Sequence, residues 1–391
     1  MSGLELNIGF MPLVDSAPLV IAQEMGFADQ EGLSLNLLKS PSWSAIRDMV
    51  TLGRADAVHM LAPVPIAMSL GIGGQGKLDV LQVLSVSGTA IGVSLDLAGR
   101  MREAGYSFDF ADATAAGRAL IAAAGPELRI GVPFPFSMQA ELLYYWLSAL
   151  GFPAPQGVQI RTVPPPLMAE AIAKGEIDAF CVGEPWGSIA VENGVGELLL
   201  PGAAIWSFAP EKVLAVRQGW AEAEPELAAR LIRAVWRAGR WLDTPGNQMT
   251  AAEILSRSAY VNVPAEIIER ALGGALVINA RGDQRQTANF QVFHRGAAGF
   301  PWRSQGAWIA GQMAGRLGLD RKGAEKTGAS VMRSDLYRAA LSREAADLPG
   351  ASSKLEGSLP SVTAVSSGSG RLFLEPNQFF DRRIFDLPTG V

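Results

Sequence analysis

The chain of 391 residues is poor in the side chains that form covalent cross-links and metal centres. It contains one cysteine and two histidines. A single cysteine excludes an intramolecular disulfide framework and any cysteine-rich zinc or iron–sulfur site. The two histidines leave little for a multi-histidine metal centre. We therefore expect neither a cofactor nor a metal.

An excess of positive charge is also missing. Lys and Arg total 33 against 38 Asp and Glu, which gives a net charge of −5, and no basic block interrupts the sequence. We therefore expect no direct contact with nucleic acid. Apolar residues, by contrast, make up 49% of the chain, enough to form a large core in one or two substantial domains.

Long hydrophobic runs are absent as well. The longest apolar stretch, Met60 to Gly74, contains Pro63 and Pro65 and is too short to cross a bilayer. The first basic residue is Lys39, whereas a secretory signal begins with a basic segment followed by an apolar one. We expect a cytoplasmic protein with no membrane contact. A leader that has been trimmed away is the alternative.

Strand and helix patterns alternate along the first half of the chain. Strand patterns separated by helical ones predict an α/β fold with mostly parallel sheets. The predicted strands are Leu4–Phe10, Leu33–Leu38, Ala55–Leu61, Leu128–Val132, Val158–Val163 and Ala179–Val182. The predicted helices are Ala17–Met25, one beginning near Ser42, Gln139–Leu150, Leu167–Lys174, one after Pro185, and Pro225–Leu242.

One short pattern occurs twice. Residues 53–57 read Gly-Arg-Ala-Asp-Ala and residues 175–179 read Gly-Glu-Ile-Asp-Ala, and each follows an amphipathic helix and opens a strand. A chance match is the alternative, because this pattern is a general helix-stop signal. The matching context on both sides favours two related α/β lobes.

The sequence contains no recognisable catalytic set. It has no G-x-S-x-G, H-E-x-x-H or P-loop motif. His59 lies within a predicted strand and is most simply a core or lining residue, and Cys181 is most simply a small buried hydrophobe. These observations disfavour an enzyme.

Polar and aromatic residues instead occur where strands lead into helices. The ligands of doubly wound sheets bind at such corners, where free backbone N–H groups suit small anions. The alternative is that the serines cap helices and the tryptophans pack. The corners are Ser42-Trp43-Ser44, Gly88-Thr89, Ser137-Met138-Gln139 and Glu184-Pro185-Trp186.

Seven segments resemble the nitrate- and bicarbonate-binding receptors of ABC transporters and their cytosolic relatives. This resemblance implies a two-lobed, C-clamp fold of the type II periplasmic-binding-protein kind, with the ligand in the cleft. We expect residues 1–95 and 207–391 to form lobe 1, residues 96–206 to form lobe 2, and residues 351–370 to be a flexible Ser/Gly-rich segment. The segments are PLVIAQEMGF (18–27), SWSAIRD (42–48), HMLAPVPIAMSLG (59–71), VPPP (163–166), DAFCVGEPW (178–186), APEKVLAVR (209–217) and FHRGAAGFPW (293–302).

Within that family, the expected cytoplasmic location points to the NasS-like nitrate sensors. The resemblance implies a protein that sequesters a NasT-like RNA-binding antiterminator when nitrate is absent and releases it when nitrate binds. The alternative is an exported receptor that delivers nitrate to an ABC permease. A third interpretation is an enzyme, since pyrimidine-synthesising proteins of thiamine metabolism share this fold.

The resemblance also implies a ligand site made of Trp43, Thr89, Gln139, Pro165, Val182 and Lys212. Nitrate accepts hydrogen bonds and donates none, so its pocket needs donors and a cation, here Lys212, with no carboxylate facing it. Two positions depart from the nitrate receptors: Gln139 stands where they usually have His, and Thr89 where they have an amide. A glutamine is typical of the bicarbonate branch, but that branch has an acid where Lys212 stands. Nitrate, or the similar nitrite, is therefore the expected ligand.

Overall fold

In a computed structural model that describes residues 3–125 and 127–387, the chain forms two mixed sheets flanked by helices. One continuous apolar core extends through both layers. The α-helices are Ala17–Glu24, Phe27–Gln30, Trp43–Thr51, Pro63–Ser69, Leu95–Glu103, Ala113–Ala123, Met138–Ala149, Met168–Ala173, Trp186–Glu192, Trp220–Ala223, Pro225–Leu242, Gln248–Ser256, Ala265–Gly273, Arg303–Leu317, Arg321–Val331 and Ser334–Leu341. Short 3₁₀ turns occupy Val14–Ser16, Pro165–Leu167, Gly202–Ala204 and Arg295–Ala297.

The first sheet has six strands and the second has five. In spatial order, the first contains Gln291–Val292, Leu78–Ser87, Pro210–Arg217, Ala57–Leu61, Leu4–Phe10 and Leu33–Lys39. The second contains Val158–Thr162, Leu128–Val132, Ala179–Gly183, Thr89–Ser94 and Gly196–Pro201. Two small hairpins pair Ala275–Val277 with Gln284–Gln286 and Thr363–Ala364 with Phe373–Leu374.

Each sheet contains a long strand that runs against its main direction. In the first sheet Pro210–Arg217 pairs antiparallel with both neighbours, and in the second Thr89–Ser94 does the same. The remaining main strands of each sheet run parallel to one another. The expected two-lobed α/β fold is therefore present, and a crossover strand enters each lobe from the other.

The chain first crosses between the sheets at Gly88. The backbone there takes a positive φ of 87°, which favours glycine, and a Cβ at this position would lie 3.0 Å from the Gln291 side chain. The strand Thr89–Ser94 therefore already belongs to the second sheet. The lobe bounds expected from the sequence stay a prediction.

The repeated Gly-x-x-Asp-Ala pattern forms the same structure in both lobes. Asp56 accepts a hydrogen bond from the backbone N–H of Asn7 at 2.9 Å and returns one to its carbonyl at 2.8 Å. Asp178 makes the same pair with the backbone of Arg129, at 2.9 and 2.8 Å. Each aspartate thereby fixes its strand beside the first parallel strand of its lobe. This equivalence agrees with two related lobes.

The segment 351–370 contacts the body of the protein more than its composition predicts. Glu356 is fully buried, and backbone bridges join Glu356 to Phe385, Leu359 to Asn377 and Pro349 to Ser367. Composition predicted a flexible segment because Ser and Gly do not bury much apolar surface. Buried polar groups and backbone bridges hold the segment instead.

None of the helices in the described parts of the chain combines the length and hydrophobicity needed to cross a bilayer. The longest, Pro225–Leu242, is amphipathic instead. It buries Leu231, Val235 and Leu242 along one face, at the spacing expected for a helix packed on a core.

Candidate anion-binding site

Polar side chains from both lobes meet where the chain crosses between the two sheets. Trp43 is the first residue of its helix, whose N-terminus is capped by Ser42 through an Ala45 N–H to Oγ hydrogen bond of 3.2 Å. Gln139 lies in the first turn of the helix Met138–Ala149, which Ser137 caps in the same way. Ordinary capping thus fixes the two helix starts that carry these side chains.

A break in the strand register brings two neighbouring residues to this place. The pairing of Pro210–Arg217 with the adjacent strand shifts between Pro210 and Lys212, so that Glu211 is the extra residue. Such a bulge interrupts the regular alternation of side chains between faces. Glu211 and Lys212 consequently both reach the polar cluster, and both are buried.

Lys212 is the cation of the cluster, and two carboxylates neutralise it. Its Nζ lies 2.5 Å from Glu211 Oε1 and 2.8 Å from Asp15 Oδ2, and its side chain is 1% exposed. Burial alone would lower the pKa of Lys212, but the fields of Asp15 and Glu211 outweigh burial and raise it. The lysine is therefore charged at neutral pH.

Asp15 and His59 form the deep side of the cluster. The backbone N–H of Met11 donates to His59 Nδ1 at 3.4 Å, which leaves the proton of a neutral ring on Nε2, 3.0 Å from Asp15 Oδ1. Burial lowers the pKa of His59, so the ring is neutral at pH 7. Burial would raise the pKa of Asp15, but Lys212 and His59 together lower it.

The second lobe contributes hydrogen-bonding groups without charge. Gln139 Nε2 donates to Glu211 Oε1 at 2.6 Å and to Thr89 Oγ1 at 3.2 Å. The thiol of Cys181 lies 3.9 Å from the same hydroxyl, and burial raises the pKa of that thiol, which stays neutral. The bond between Gln139 and Glu211 directly joins the two lobes across the cluster.

Trp43 covers one side of the lysine. The Lys212 Nζ lies 5.4 Å from the centre of the Trp43 ring, and the His59 ring is also 5.4 Å away, tilted by 56°. A lysine ammonium at this distance from an indole is attracted to the ring face. Trp43 is 2% exposed, so its flat wall lies inside the protein.

Several buried polar atoms of the cluster lack a hydrogen-bond partner among the residues that the structure describes. They include one oxygen each of Gln139 and Glu211 and the indole N–H of Trp43. Both oxygens of Asp15 lie at ion-pair distances from their neighbours but without hydrogen-bond angles. Buried polar groups are normally satisfied, and a set of unsatisfied ones in a single place indicates a site that has unused capacity for a ligand.

The structure brings four of the predicted ligand residues together: Trp43, Thr89, Gln139 and Lys212. Thr89 arrives from the second sheet rather than from lobe 1 as expected, because the chain has already crossed at Gly88. Val182 pairs with Ala90 within the second sheet, and Pro165 begins a 3₁₀ turn. Both are buried and apolar, and their place in the ligand cleft stays a prediction.

From the sequence we expect a nitrate pocket in which no carboxylate faces the anion, whereas the structure places two carboxylates beside the lysine of that pocket. Asp15 and Glu211 both lie within 2.8 Å of its Nζ. The reason is that an unpaired ammonium is too costly to bury, so the chain supplies its own counter-charges. Asp15, Glu211 and the polar role of His59 were missed. The sequence does contain a sign of each carboxylate: Asp15 is a lone acid after a buried strand, and Glu211 is an acid at the start of an apolar strand.

The corner at residues 184–186 has a different role. Trp186 Nε1 donates to the Pro12 carbonyl at 2.9 Å, and the Glu184 carbonyl accepts from Val14 at 2.9 Å. These bonds join the lobes beside the cluster. The Glu184 side chain is buried and contacts the helix that follows it, where its Oε2 accepts a hydrogen bond from the Ser188 N–H at 3.2 Å.

A surface cavity near the C-terminus is separate from this cluster. Tyr145, Trp308, Arg316 and Phe385 are among its lining residues, and none of its lining belongs to the cluster. Its Arg316 already pairs with the buried Glu141. The cluster at Lys212 is therefore the stronger candidate for an anion site.

Comparisons with known proteins agree with this fold. Residues 3–256 match the NMT1-like family. The nitrate/nitrite binding protein NrtA of Nostoc is 33% identical over 313 residues, which cover 78% of this chain and 68% of that protein. The crystal structure of the periplasmic nitrate-binding protein NrtA from Synechocystis superimposes with a TM-score of 0.82 at 26% identity, over 98% of this chain and 96% of that one.

A longer relative is the nitrate import ATP-binding protein NrtC of Synechocystis. It is 35% identical over 324 residues, which cover 80% of this chain but 46% of that protein. The chain thus spans about half the length of this relative. The family match covers well over half of the chain, and the Nostoc relative is similar over most of its length. The chain therefore belongs to the NMT1-like family, in its group of NrtA/CmpA-type nitrate- and bicarbonate-binding proteins.

Proposed function

We propose that this protein binds nitrate or nitrite between its lobes, at Lys212, and that it does so as a cytoplasmic nitrate sensor. The observation that carries the proposal is a fully buried, charged lysine with the Trp43 indole over it. The Gln139 amide reaches the same place through Glu211, the lysine's ion-pair partner, and also bonds the Thr89 hydroxyl. These groups supply one cation and three kinds of neutral donor. A planar monoanion that only accepts hydrogen bonds matches them.

Ligand binding in this position suits a change in lobe arrangement. Gln139 and Thr89 belong to the second lobe, whereas Lys212 and Trp43 belong to the first. An anion held by both sets favours the closed form over an open one by its difference in affinity for the two. Pro165 and Val182 would line the same cleft.

The sensor controls a partner rather than RNA directly. In this proposal the open form holds a NasT-like RNA-binding antiterminator, and nitrate releases it so that nitrate assimilation genes are induced. A net charge of −5 is in keeping with a protein that leaves RNA contact to its partner. Each tenfold change in partner affinity requires about 1.4 kcal/mol of differential anion binding.

A second candidate is the substrate receptor of a nitrate ABC transporter. The observation in its favour is that similar relatives are described as a periplasmic nitrate-binding protein and as nitrate import proteins. Both candidate functions use the same anion site. They differ in the macromolecule that responds to the closed form, which is an antiterminator for the sensor and a permease for the receptor.

Titration calorimetry with sodium nitrate tests the anion site. Lys212→Met removes the cation, and we expect nitrate affinity to fall by about 100-fold or more, since a hydrogen bond to a charged group contributes up to about 3 kcal/mol. Lys354→Met is the matched control, because Lys354 is also buried over a tryptophan but belongs to a distant cluster. A folded Lys212→Met protein that binds nitrate as the unaltered chain does would contradict the proposal.

A pull-down from cell extract separates the two candidates. With this protein as bait, the sensor predicts recovery of a small RNA-binding regulator that millimolar nitrate elutes. The Lys212→Met variant should hold the same regulator and fail to release it. Recovery of permease subunits instead would favour the transport receptor.

A further inference from the structure

The candidate site contains more negative than positive side chains, which by itself disfavours the binding of an anion. One ammonium, Lys212, stands against two carboxylates, Asp15 and Glu211, and all three side chains are at most 1% exposed. With both carboxylates ionised the cluster carries a net charge of −1. A monoanion added to it would bring the buried charge to −2, at distances where water screens little.

This imbalance must be removed when the site fills. Moving Lys212 away from its carboxylates would leave two buried anions unpaired, which is more costly than the pair itself. Protonating one carboxylate removes the excess and converts that group from an acceptor into an O–H donor. Nitrate and nitrite have no hydrogen-bond donor of their own, but their oxygens can accept a hydrogen bond from this O–H group.

We propose that anion binding at this site takes up one proton from solvent, and that the Glu211 carboxyl holds it. This inference rests on the proposed function, because it requires an anionic ligand at Lys212. In the step, a new O–H bond forms at Glu211, the proton leaves the solvent buffer, and no other bond is made or broken. The filled site then carries Lys212, Asp15, neutral Glu211 and the anion, a net charge of −1.

Contacts select Glu211 over the other groups in the cluster. Asp15 lies between two positive or proton-bearing neighbours, Lys212 at 2.8 Å and the His59 Nε2 at 3.0 Å, which favour its ionised form. Glu211 also has two, Lys212 at 2.5 Å and the Gln139 Nε2 at 2.6 Å, but both contact its Oε1, and its Oε2 is buried without a partner among the described residues. That oxygen can carry the proton without displacing an existing hydrogen bond.

The surroundings of Glu211 favour the neutral form. The groups that face it are Lys212 on its own strand, Asp15 from the first lobe, and Gln139 and Cys181 from the second. Burial raises the pKa of Glu211, with Asp15 adding to the rise, and the opposing effects of Lys212 and Gln139 do not outweigh them. An anion beside the same lysine raises that pKa further.

Calorimetry in buffers of different ionisation enthalpy measures the proton directly. The slope of observed heat against buffer ionisation enthalpy gives the number of protons taken up per bound nitrate. We expect this number to rise towards one as the pH rises and Glu211 becomes ionised in the free protein, and nitrate affinity to fall by up to about tenfold per pH unit while it does so. A slope of zero throughout would overturn the proposal.

Two variants assign the proton. Glu211→Gln keeps the size of the side chain and an oxygen that can accept the hydrogen bond from the Gln139 amide. The variant should therefore bind nitrate without proton uptake, and its nitrate affinity should depend little on pH. Glu184→Gln is the control: it removes another buried carboxyl outside the cluster and should leave proton uptake unchanged. Persistent uptake in Glu211→Gln would overturn the assignment to Glu211.

The failure of this inference differs from the failure of the proposed function. If no nitrate heat appears at any pH in a folded protein, the anion site itself is wrong, and the inference falls with it. If nitrate binds and no proton moves, the anion site stands and only the proton inference is wrong. Circular dichroism shows whether each variant is folded, so that a misfolded variant is not mistaken for either of these two outcomes.

Discussion

Two buried lysines in this protein lie over tryptophan rings, and their surroundings differ. Lys212 Nζ is 5.4 Å from the Trp43 ring and Lys354 Nζ is 5.4 Å from the Trp302 ring. Lys212 is 1% exposed and Lys354 is 10% exposed. The two clusters thus share a cation, an aromatic wall and burial, and they differ in how the carboxylates are satisfied.

The carboxylate of the cluster at Lys354 has all its hydrogen bonds. Its single carboxylate, Glu356, accepts from Ser304 Oγ at 2.6 Å and from Asn377 Nδ2 at 2.7 Å and pairs with the lysine. Neither oxygen of Glu356 is left without a partner. Burial lowers the pKa of Lys354, because one carboxylate does not outweigh it.

The cluster at Lys212 is incomplete by comparison. It has two carboxylates for one cation, and unpartnered oxygens on Asp15, Glu211 and Gln139 in the described structure. A polar network whose members are all satisfied holds a fold together, whereas one with spare donors and acceptors at a lobe junction is open to a ligand. The difference separates a structural cluster from a binding one on physical grounds.

The largest effect that this comparison predicts is on stability. Glu356→Ala leaves Lys354, Ser304 and Asn377 without their acceptor, so we expect the free energy of unfolding to fall by about 3–5 kcal/mol, measured by urea denaturation. Nitrate affinity of the folded variant should not change. Glu170→Ala is the control, because its pair with Lys174 is exposed and should leave unfolding unaltered. A change in nitrate affinity without a loss of stability would reverse the assignment of the two clusters.

A further buried carboxylate, Glu184, extends the comparison to a group with no lysine beside it among the described residues. Burial raises the pKa of Glu184 to about 7, and its hydrogen bond from Ser188 does not compensate. The folded protein then holds a proton that the unfolded chain releases above its ordinary pKa of 4.5. Stability is therefore fully present below about pH 4.5 and falls by up to about 3 kcal/mol as pH rises to about 7.

Glu184→Gln tests this sign. The variant has no proton to lose at that position, so its free energy of unfolding minus that of the unaltered chain should increase steadily between about pH 4.5 and about pH 7 and level off above. Urea denaturation at a series of pH values gives the difference. A difference that stays flat, or that decreases with pH, would show that Glu184 is already ionised in the folded protein.

Local patterns predicted much of the fold. The strands Leu4–Phe10 and Leu128–Val132 and the helix Pro225–Leu242 have the predicted bounds, because alternation and helical periodicity are strong over their lengths. The four strands Leu78–Ser87, Thr89–Ser94, Gly196–Pro201 and Pro210–Arg217 were not predicted. Two of them are the antiparallel crossover strands, whose pairing depends on residues more than 80 positions away and leaves no local signature.

The candidate site was predictable in part for the same reason. Trp43 and Gln139 lie at helix starts that carry a recognisable serine cap, so the local pattern located them. For Lys212, only the family resemblance indicated a site. The bulge that turns Glu211 into the cluster and the arrival of Asp15 at 2.8 Å are tertiary events. The number of carboxylates around the lysine could therefore not be deduced from the sequence.

The smallest predicted effect comes from two tryptophans, Trp43 and Trp302, that form a closely matched pair of test and control. Trp43 and Trp302 are both 2% exposed, and both have an indole N–H without a partner in the described structure. Replacing either by Phe keeps an aromatic face over the lysine and removes the N–H. If the Trp43 N–H donates to the bound anion, Trp43→Phe should weaken nitrate binding about tenfold, the effect of one hydrogen bond of about 1.4 kcal/mol.

Trp302→Phe should leave nitrate affinity unchanged, because Trp302 lies over Lys354 and not over the proposed site at Lys212. Titration calorimetry on both variants, with Tm recorded for each, separates this effect from general loosening. Equal affinity in both variants would mean that Trp43 serves the site only as a wall, and that its N–H stays unpaired when the anion binds. Equal weakening in both would remove the distinction between the two clusters, since the same change would then act through the fold and not through a contact with the ligand.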